Sequence, residues 1–146
     1  MTARRRGERG TALIEVTWLS ILLLVPLVYV VLAVFEVQRS AFAVDAATRA
    51  AGRAYSLAPS EADGAQRASA AAEVALADQG LSVRRASMRV SCTPRDCLSP
   101  GAVIRVRMVY PVALPLMPSA FGSNTPSIRV EADHLVPYGS FREDRP

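Results

Sequence analysis

Lysine is absent from this chain, which contains one histidine, one tryptophan and two cysteines in 146 residues; all 17 basic residues are arginine. A metal site needs more ligands than His134, Cys92 and Cys97 supply, so none is expected, and no cofactor is implied. A Cys-x-x-Cys redox motif is missing, as are a Gly-rich phosphate loop, a paired-carboxylate cluster and a nucleophile elbow. His134 follows Asp133, but neighbours on a strand point to opposite faces, so the pair makes no acid-oriented base. The residues predict an exposed strand histidine there, and the chain reads as a non-enzyme with no small-molecule substrate.

The formal charge of +4 is mostly contributed by residues 1–10, which hold Arg4, Arg5, Arg6, Arg9 and Glu8. Without them 13 of the 17 basic residues and 12 of the 13 acidic ones remain, a net charge of +1. That balance gives no electrostatic reason to expect nucleic acid as a partner.

Charge is missing altogether from Val16 to Phe35, a 20-residue run reading VTWLSILLLVPLVYVVLAVF. About 20 apolar residues cross a hydrocarbon core of about 30 Å. Four arginines precede the run and none follows until Arg39, so the positive-inside rule places the N-terminus in the cytoplasm and the chain after Glu36 outside. A signal peptide normally has an apolar region of about 7 to 15 residues followed closely by a small-x-small cut site. Here the run is longer, and Ala41-Phe42-Ala43 lies well past its end.

Glu15 is the only charge between the arginines and this run. An acidic group at the edge of a spanning helix is either solvated at headgroup level or neutralised by a cation. Cleavage after Gly10 creates such a cation, a new α-amino group on Thr11 one helical turn from Glu15. The pair can form within one subunit or between neighbours in an apolar medium.

In these residues the chain resembles type IV pilin-like precursors, and specifically the TadE-like family of tight-adherence pilus proteins. The resemblance is carried by the short leader ending RGERG, Gly10, the small residue Ala12, Glu15 five residues after the glycine, and the apolar helix. It continues through AFAVDAATRAAGRAY and covers roughly the first 58 residues well, the remainder only in outline. It implies a minor pilin or pseudopilin, cut by a prepilin peptidase at Gly10-Thr11. Such a protein assembles with other pilin-like subunits and the pilus platform through its helix, with Glu15, Trp18, Pro26, Tyr29 and Phe35 as candidate assembly residues. Val16 stands where major pilins of the class often carry tyrosine, and the chain is longer than they are, which points to an accessory subunit. Thr11 replaces the aromatic first residue common in other type IV pilins.

Pro26 lies inside the spanning helix, where membrane helices tolerate proline as a kink or a local unwinding. Beyond Phe35 the helical period persists, with Val37, Ala41, Val44, Thr48, Ala51 and Tyr55 on one face. Leu57-Ala58-Pro59 ends it. Ser60, with Asp63 three residues on, predicts the cap of a second, Ala-rich helix from Glu61 to about Gln79, stopped by Gly80.

From Leu81 the period becomes two. A first strand is expected around LSVRRASMRVSC, with Val83, Met88 and Val90 on a face, and a second along AVIRVRMVY, with Val103, Arg105, Arg107 and Val109 opposite Ile104, Val106, Met108 and Tyr110. A third is expected along SIRVEADHLVPY, with Ile128, Val130, Ala132 and Leu135 sharing a face. Between the last two lies a proline-rich loop holding Pro111, Pro115, Pro118 and Pro126. Alternating arginines, and the pair Arg84-Arg85, suit either a solvated sheet face or contact with an anionic surface. In an oxidising compartment Cys92 and Cys97 read as a disulfide stapling the loop between the first two strands.

The expected organisation is therefore α+β. A leader (1–10) precedes an anchoring and assembly helix (11–36), its extracytoplasmic continuation (37–58) and a small outer domain (59–146). The protein is expected in the cell membrane as a single-pass chain, with the filament surface as a further location. Two alternatives stay open: a single-pass protein that is never cut and whose outer domain binds an envelope partner, and an exported domain whose helix is only a signal.

Overall fold

A computed structural model of the chain describes residues 8–94, 96–114 and 127–145, with side chains from residue 13 onward. The first element, helix α1 (Glu8–Ser56), has 49 residues, about 74 Å at 1.5 Å per residue. It passes through Pro26 without a break. A four-residue connection, 57–60, turns the chain back into helix α2 (Glu61–Ala77). A single 3-10 turn, Val83–Arg85, leads into strand β1 (Ser87–Thr93), followed by β2 (Val103–Ala113) and β3 (Ser127–Pro137). The three strands form one antiparallel sheet in the order β1-β2-β3, giving the α+β fold that the change of period indicates.

Both ends of α2 follow from local chemistry. The Asp63 N–H donates to Ser60 Oγ at 3.2 Å, and the Ser60 hydroxyl donates to Asp63 Oδ2 at 2.8 Å, satisfying a donor that the first turn leaves free. At the other end Gly80 adopts φ +70°. There the Leu81 N–H reaches Leu76 O at 2.9 Å and the Gly80 N–H reaches Ala77 O at 2.8 Å. This is a Schellman arrangement with buried Leu76 and Leu81 as its apolar contact.

The core lies between the second half of α1, α2 and one face of the sheet. On α1 it takes Val44, Thr48, Ala51 and Tyr55, as the period suggests, with Val37 and Ala41 partly buried. Ser40, Ala43, Ala47, Gly52 and Ser56 are buried beside them. The buried stripe is thus two residues wide and made of small side chains, which lets α1 approach both neighbours. On α2 Gly64, Ala68, Ala72 and Leu76 face inward. The Tyr55 ring lies over Gly64, where a Cβ would stand 3.2 Å from its nearest carbons. From the sheet come Ile104, Val106, Met108, Tyr110 and Val112 of β2 and Val130 of β3.

The strands correct four expectations. Val83 belongs to the 3-10 turn, so β1 begins only at Ser87, with Met88, Val90 and Cys92 turned inward. Pro111 lies inside β2 opposite Arg129, where it was expected in the loop. The β1 ladder has ended at Ser87 opposite Val109, so β2 has one neighbour at that point and tolerates a residue without an N–H. Leu135 points outward, 50% exposed, because the even-numbered residues of β3 face the helix. His134, expected exposed, is consequently on that inner face and half-buried, with Cδ2 3.4 Å from where a Gly52 Cβ would lie. Pro115, Pro118 and Pro126 lie outside the described residues.

Candidate functional site

The candidate site is the first half of α1, and its character follows from what does not cover it. Leu13, Trp18, Leu22 and Phe35 are 72%, 68%, 68% and 64% exposed, and nearly every apolar residue between them is exposed as well. An exposed apolar surface running round a helix for 20 residues cannot face water. Among the described residues this is the one helix long and apolar enough to cross a membrane. The polar residues within it are internally satisfied: Thr17 Oγ1 donates to Leu13 O at 2.8 Å and Ser20 Oγ to Val16 O at 2.7 Å. Such bonds keep hydroxyls from facing lipid unpaired.

Charge returns abruptly at Glu36, which pairs with Arg39 at 2.8 Å, and the next turns carry Asp45 with Arg49 at 2.6 Å. Both pairs are exposed and contribute little to stability. They mark the end of the uncharged stretch of the helix.

Glu15 sits on the exposed surface of α1 and forms no ion pair among the described residues. Gly10 and Thr11 lie in the first turns of α1, so Thr11 stands four residues, about one turn, before Glu15. Trp18 and Phe35 are exposed, Pro26 is within the helix, and Tyr29 is half-buried. The Tyr29 and Ser40 hydroxyls are enclosed without a hydrogen-bond partner among the described residues.

At the far end of the molecule Cys92, in β1, is joined to Cys97, in the following loop, with Cα atoms 5.1 Å apart. The Cys97 N–H donates to Glu61 Oε1 at 2.5 Å, so the stapled loop is fastened to the first turn of α2. The C-terminal tail completes this end. Arg142 donates to Ser56 O at 2.8 Å and stacks over the Tyr138 ring at 5.0 Å, and Arg145 donates to Ala58 O at 2.9 Å. Arg142 thus serves a carbonyl that the end of α1 leaves free, and Arg145 one in the connection just beyond it. The sequence signal for them is only two arginines in a polar tail, too weak to assign a partner 86 residues away.

Among the described residues no three His, Cys, Asp or Glu side chains are grouped to hold a metal ion. His134 abuts the helix through Gly52, away from the outer-face carboxylate of Asp133. No known protein family, curated protein or solved structure matches the chain.

Proposed function

We propose that the chain is a minor pilin, or pseudopilin, of a tight-adherence type pilus. A prepilin peptidase cuts it after Gly10, and it assembles through α1 with other pilin-like subunits. The observation that carries this reading is the division of one unbroken helix into two surfaces. Its first half is exposed and apolar on all sides, while its second half is a core element of the outer domain. A signal that is merely removed has no reason to share a helix with the core, and a plain anchor has no reason for rigid continuity with its cargo. A subunit packed into a bundle by that helix has both.

In this reading the span holds the chain in the membrane with residues 1–9 in the cytoplasm and α2 and the sheet outside. Glu15 is then the acceptor for the α-amino group of Thr11 released by the cut. The protein performs no chemistry of its own; it presents a substrate backbone to the peptidase and a helix to its neighbours.

The test is the N-terminus of the protein recovered from membranes, read by mass spectrometry. A start at Thr11 is expected, and Gly10→Val should leave the full precursor in the membrane, because the branched side chain replaces a residue that lets another backbone approach closely. A start at Met1 or Thr2 in the unaltered protein makes it an uncut single-pass protein, and a start beyond Phe35 makes the helix a signal.

A further inference from the structure

The arginines of the outer domain divide into two sets. Arg105 lies 3.8 Å from Asp133 and Arg107 pairs with Glu131, both across β2 and β3. Arg84 and Arg85 of the 3-10 turn, Arg89 of β1 and Arg129 of β3 are exposed and form no ion pair among the described residues. Arg89 stands directly opposite Arg107 in the ladder, a like-charge pairing that weakens the sheet. An open cleft on the outer face is lined by Arg89, Arg107 and Arg129, with Glu131 the one acid.

Arg84, Arg85 and Arg129 lie toward one end of the domain. The later part of β3 lies against Gly52, and the tail beyond it reaches Ser56, so β3 runs in the same direction as α1 and its start points toward the apolar half. From Val136 back to Ser127 is about 30 Å at 3.3 Å per residue, which α1 covers in about 20 residues. Ser127 therefore comes level with α1 about 20 residues before Gly52, close to where the uncharged run stops. Helix α2, returning alongside α1 for 17 residues, carries the 3-10 turn to the same level. Strand β1 stands higher, since Arg89 pairs with Arg107, which is opposite Asp133. Two segments thus bring Arg84, Arg85 and Arg129 toward the height of Glu36 and Arg39, where the uncharged run stops. The opposite end is acidic, with Glu61, Asp96 and Asp144 around one cleft with Arg145.

We propose that this basic end rests on the bilayer, with Arg84, Arg85 and Arg129 engaging the phosphates of anionic lipid headgroups. The inference rests on the membrane-spanning reading of α1. Guanidinium groups match phosphate in charge and fork geometry, and arginines close to a membrane surface are attracted to anionic lipid. The outer domain is then held at a fixed tilt on the leaflet before assembly, and extraction into a filament must break that contact.

The test uses the full chain reconstituted in vesicles of phosphatidylcholine, alone or mixed with phosphatidylglycerol. The disulfide leaves no free thiol, so a fluorophore can be placed singly at Ile128→Cys, near the basic end, or at Leu135→Cys, farther up the same strand. A headgroup-attached nitroxide lipid is expected to quench the label at 128 but not at 135, and more strongly with phosphatidylglycerol present. Combined Arg84→Gln, Arg85→Gln and Arg129→Gln should bring the quenching at 128 down to that at 135. Trp18 separates the two readings, since chain-brominated lipid must quench it if α1 spans the bilayer. Trp18 quenched with the label at 128 unquenched overturns the headgroup contact alone, and Trp18 unquenched overturns the span. Quenching at 128 that ignores phosphatidylglycerol and the arginine changes, or that appears only at high protein-to-lipid ratio, also overturns the proposal, the latter in favour of a second copy.

Discussion

Gly52 shows how closely a single residue can set the distance between two elements. A Cβ at that position would stand 2.7 Å from Val136 Cγ2 and 3.6 Å from Val106 Cγ2, and both neighbours are β-branched and stiff at χ1. Gly52→Val forces α1 off the sheet and is expected to destabilise the domain by about 1 to 3 kcal/mol, the range for overpacking a core. Alanine lies near the lower bound, because up to about 1 kcal/mol of helix propensity is regained. Thermal unfolding of the full chain in detergent checks both, and a valine variant as stable as the original means the interface is looser than these distances. Tyr55 adds a pH dependence. Its burial, and secondarily the Glu61 carboxylate, raise the phenol above its ordinary value of 10.0. The folded chain therefore keeps this proton to higher pH than the unfolded chain. Stability from the site is intact below about pH 10 and lost as pH rises through the folded-state value. Tyr55→Phe should remove that part of the alkaline loss, read as a smaller drop in melting temperature between neutral and strongly alkaline buffer.

At the scale of elements, the disulfide closes so short a loop that its stabilisation is limited. The sequence separation is 5, and the chain-entropy relation gives about 2 kcal/mol for a loop of that size. Replacing Cys92 and Cys97 together by serine should therefore lower stability modestly and leave the fold, whereas Glu61→Gln weakens the same loop through its hydrogen bond from Cys97. Full labelling of both thiols in denatured, unreduced protein would rule the cross-link out. Both helices were readable from the sequence because their boundaries are chemical: Pro59 ends the first, Ser60 starts the second and Gly80 stops it. The sheet was readable in β2, where strict alternation spans the whole strand. It was misread where alternation fails, because in β3 the apolar Leu135 suits an inner face and the polar His134 an exposed one by local composition, and only the register with β2 assigns His134 inward. Pro111 misled for a similar reason, since its tolerance depends on β1 ending before it. In the candidate site the apolar span and its flanking charges were legible as pattern. The hydrogen bonding of Arg142 to the end of α1 and of Arg145 to the connection beyond it was not, because it joins residues far apart in sequence.

On the proposed reading the molecule carries its charge in order along its length: arginines before the apolar run, one glutamate at its entrance, an uncharged stretch, then an outer domain with free arginines at one end and acids at the other. In such a molecule Glu15 is best understood by when its charge is compensated. During insertion a carboxylate at the edge of an apolar helix is a burden that costs about 2.5 to 3.5 kcal/mol at mid-bilayer and less at the interface. On the proposed cleavage Thr11 would carry a free amino group a turn away, on the same or a neighbouring subunit, and the two charges would neutralise each other. Glu15→Gln removes the burden without supplying the acceptor, so membrane insertion should be unchanged or slightly improved, and cleavage should continue. Crosslinking to other pilin-like subunits, or the number of surface pili, should fall instead. The two steps are measured separately, insertion by resistance to alkaline extraction and assembly by crosslink yield. A Glu15→Gln protein that is cut and assembles at the original yield leaves the carboxylate as a solvated interfacial charge, with neighbour recognition resting on the apolar surface of α1 alone.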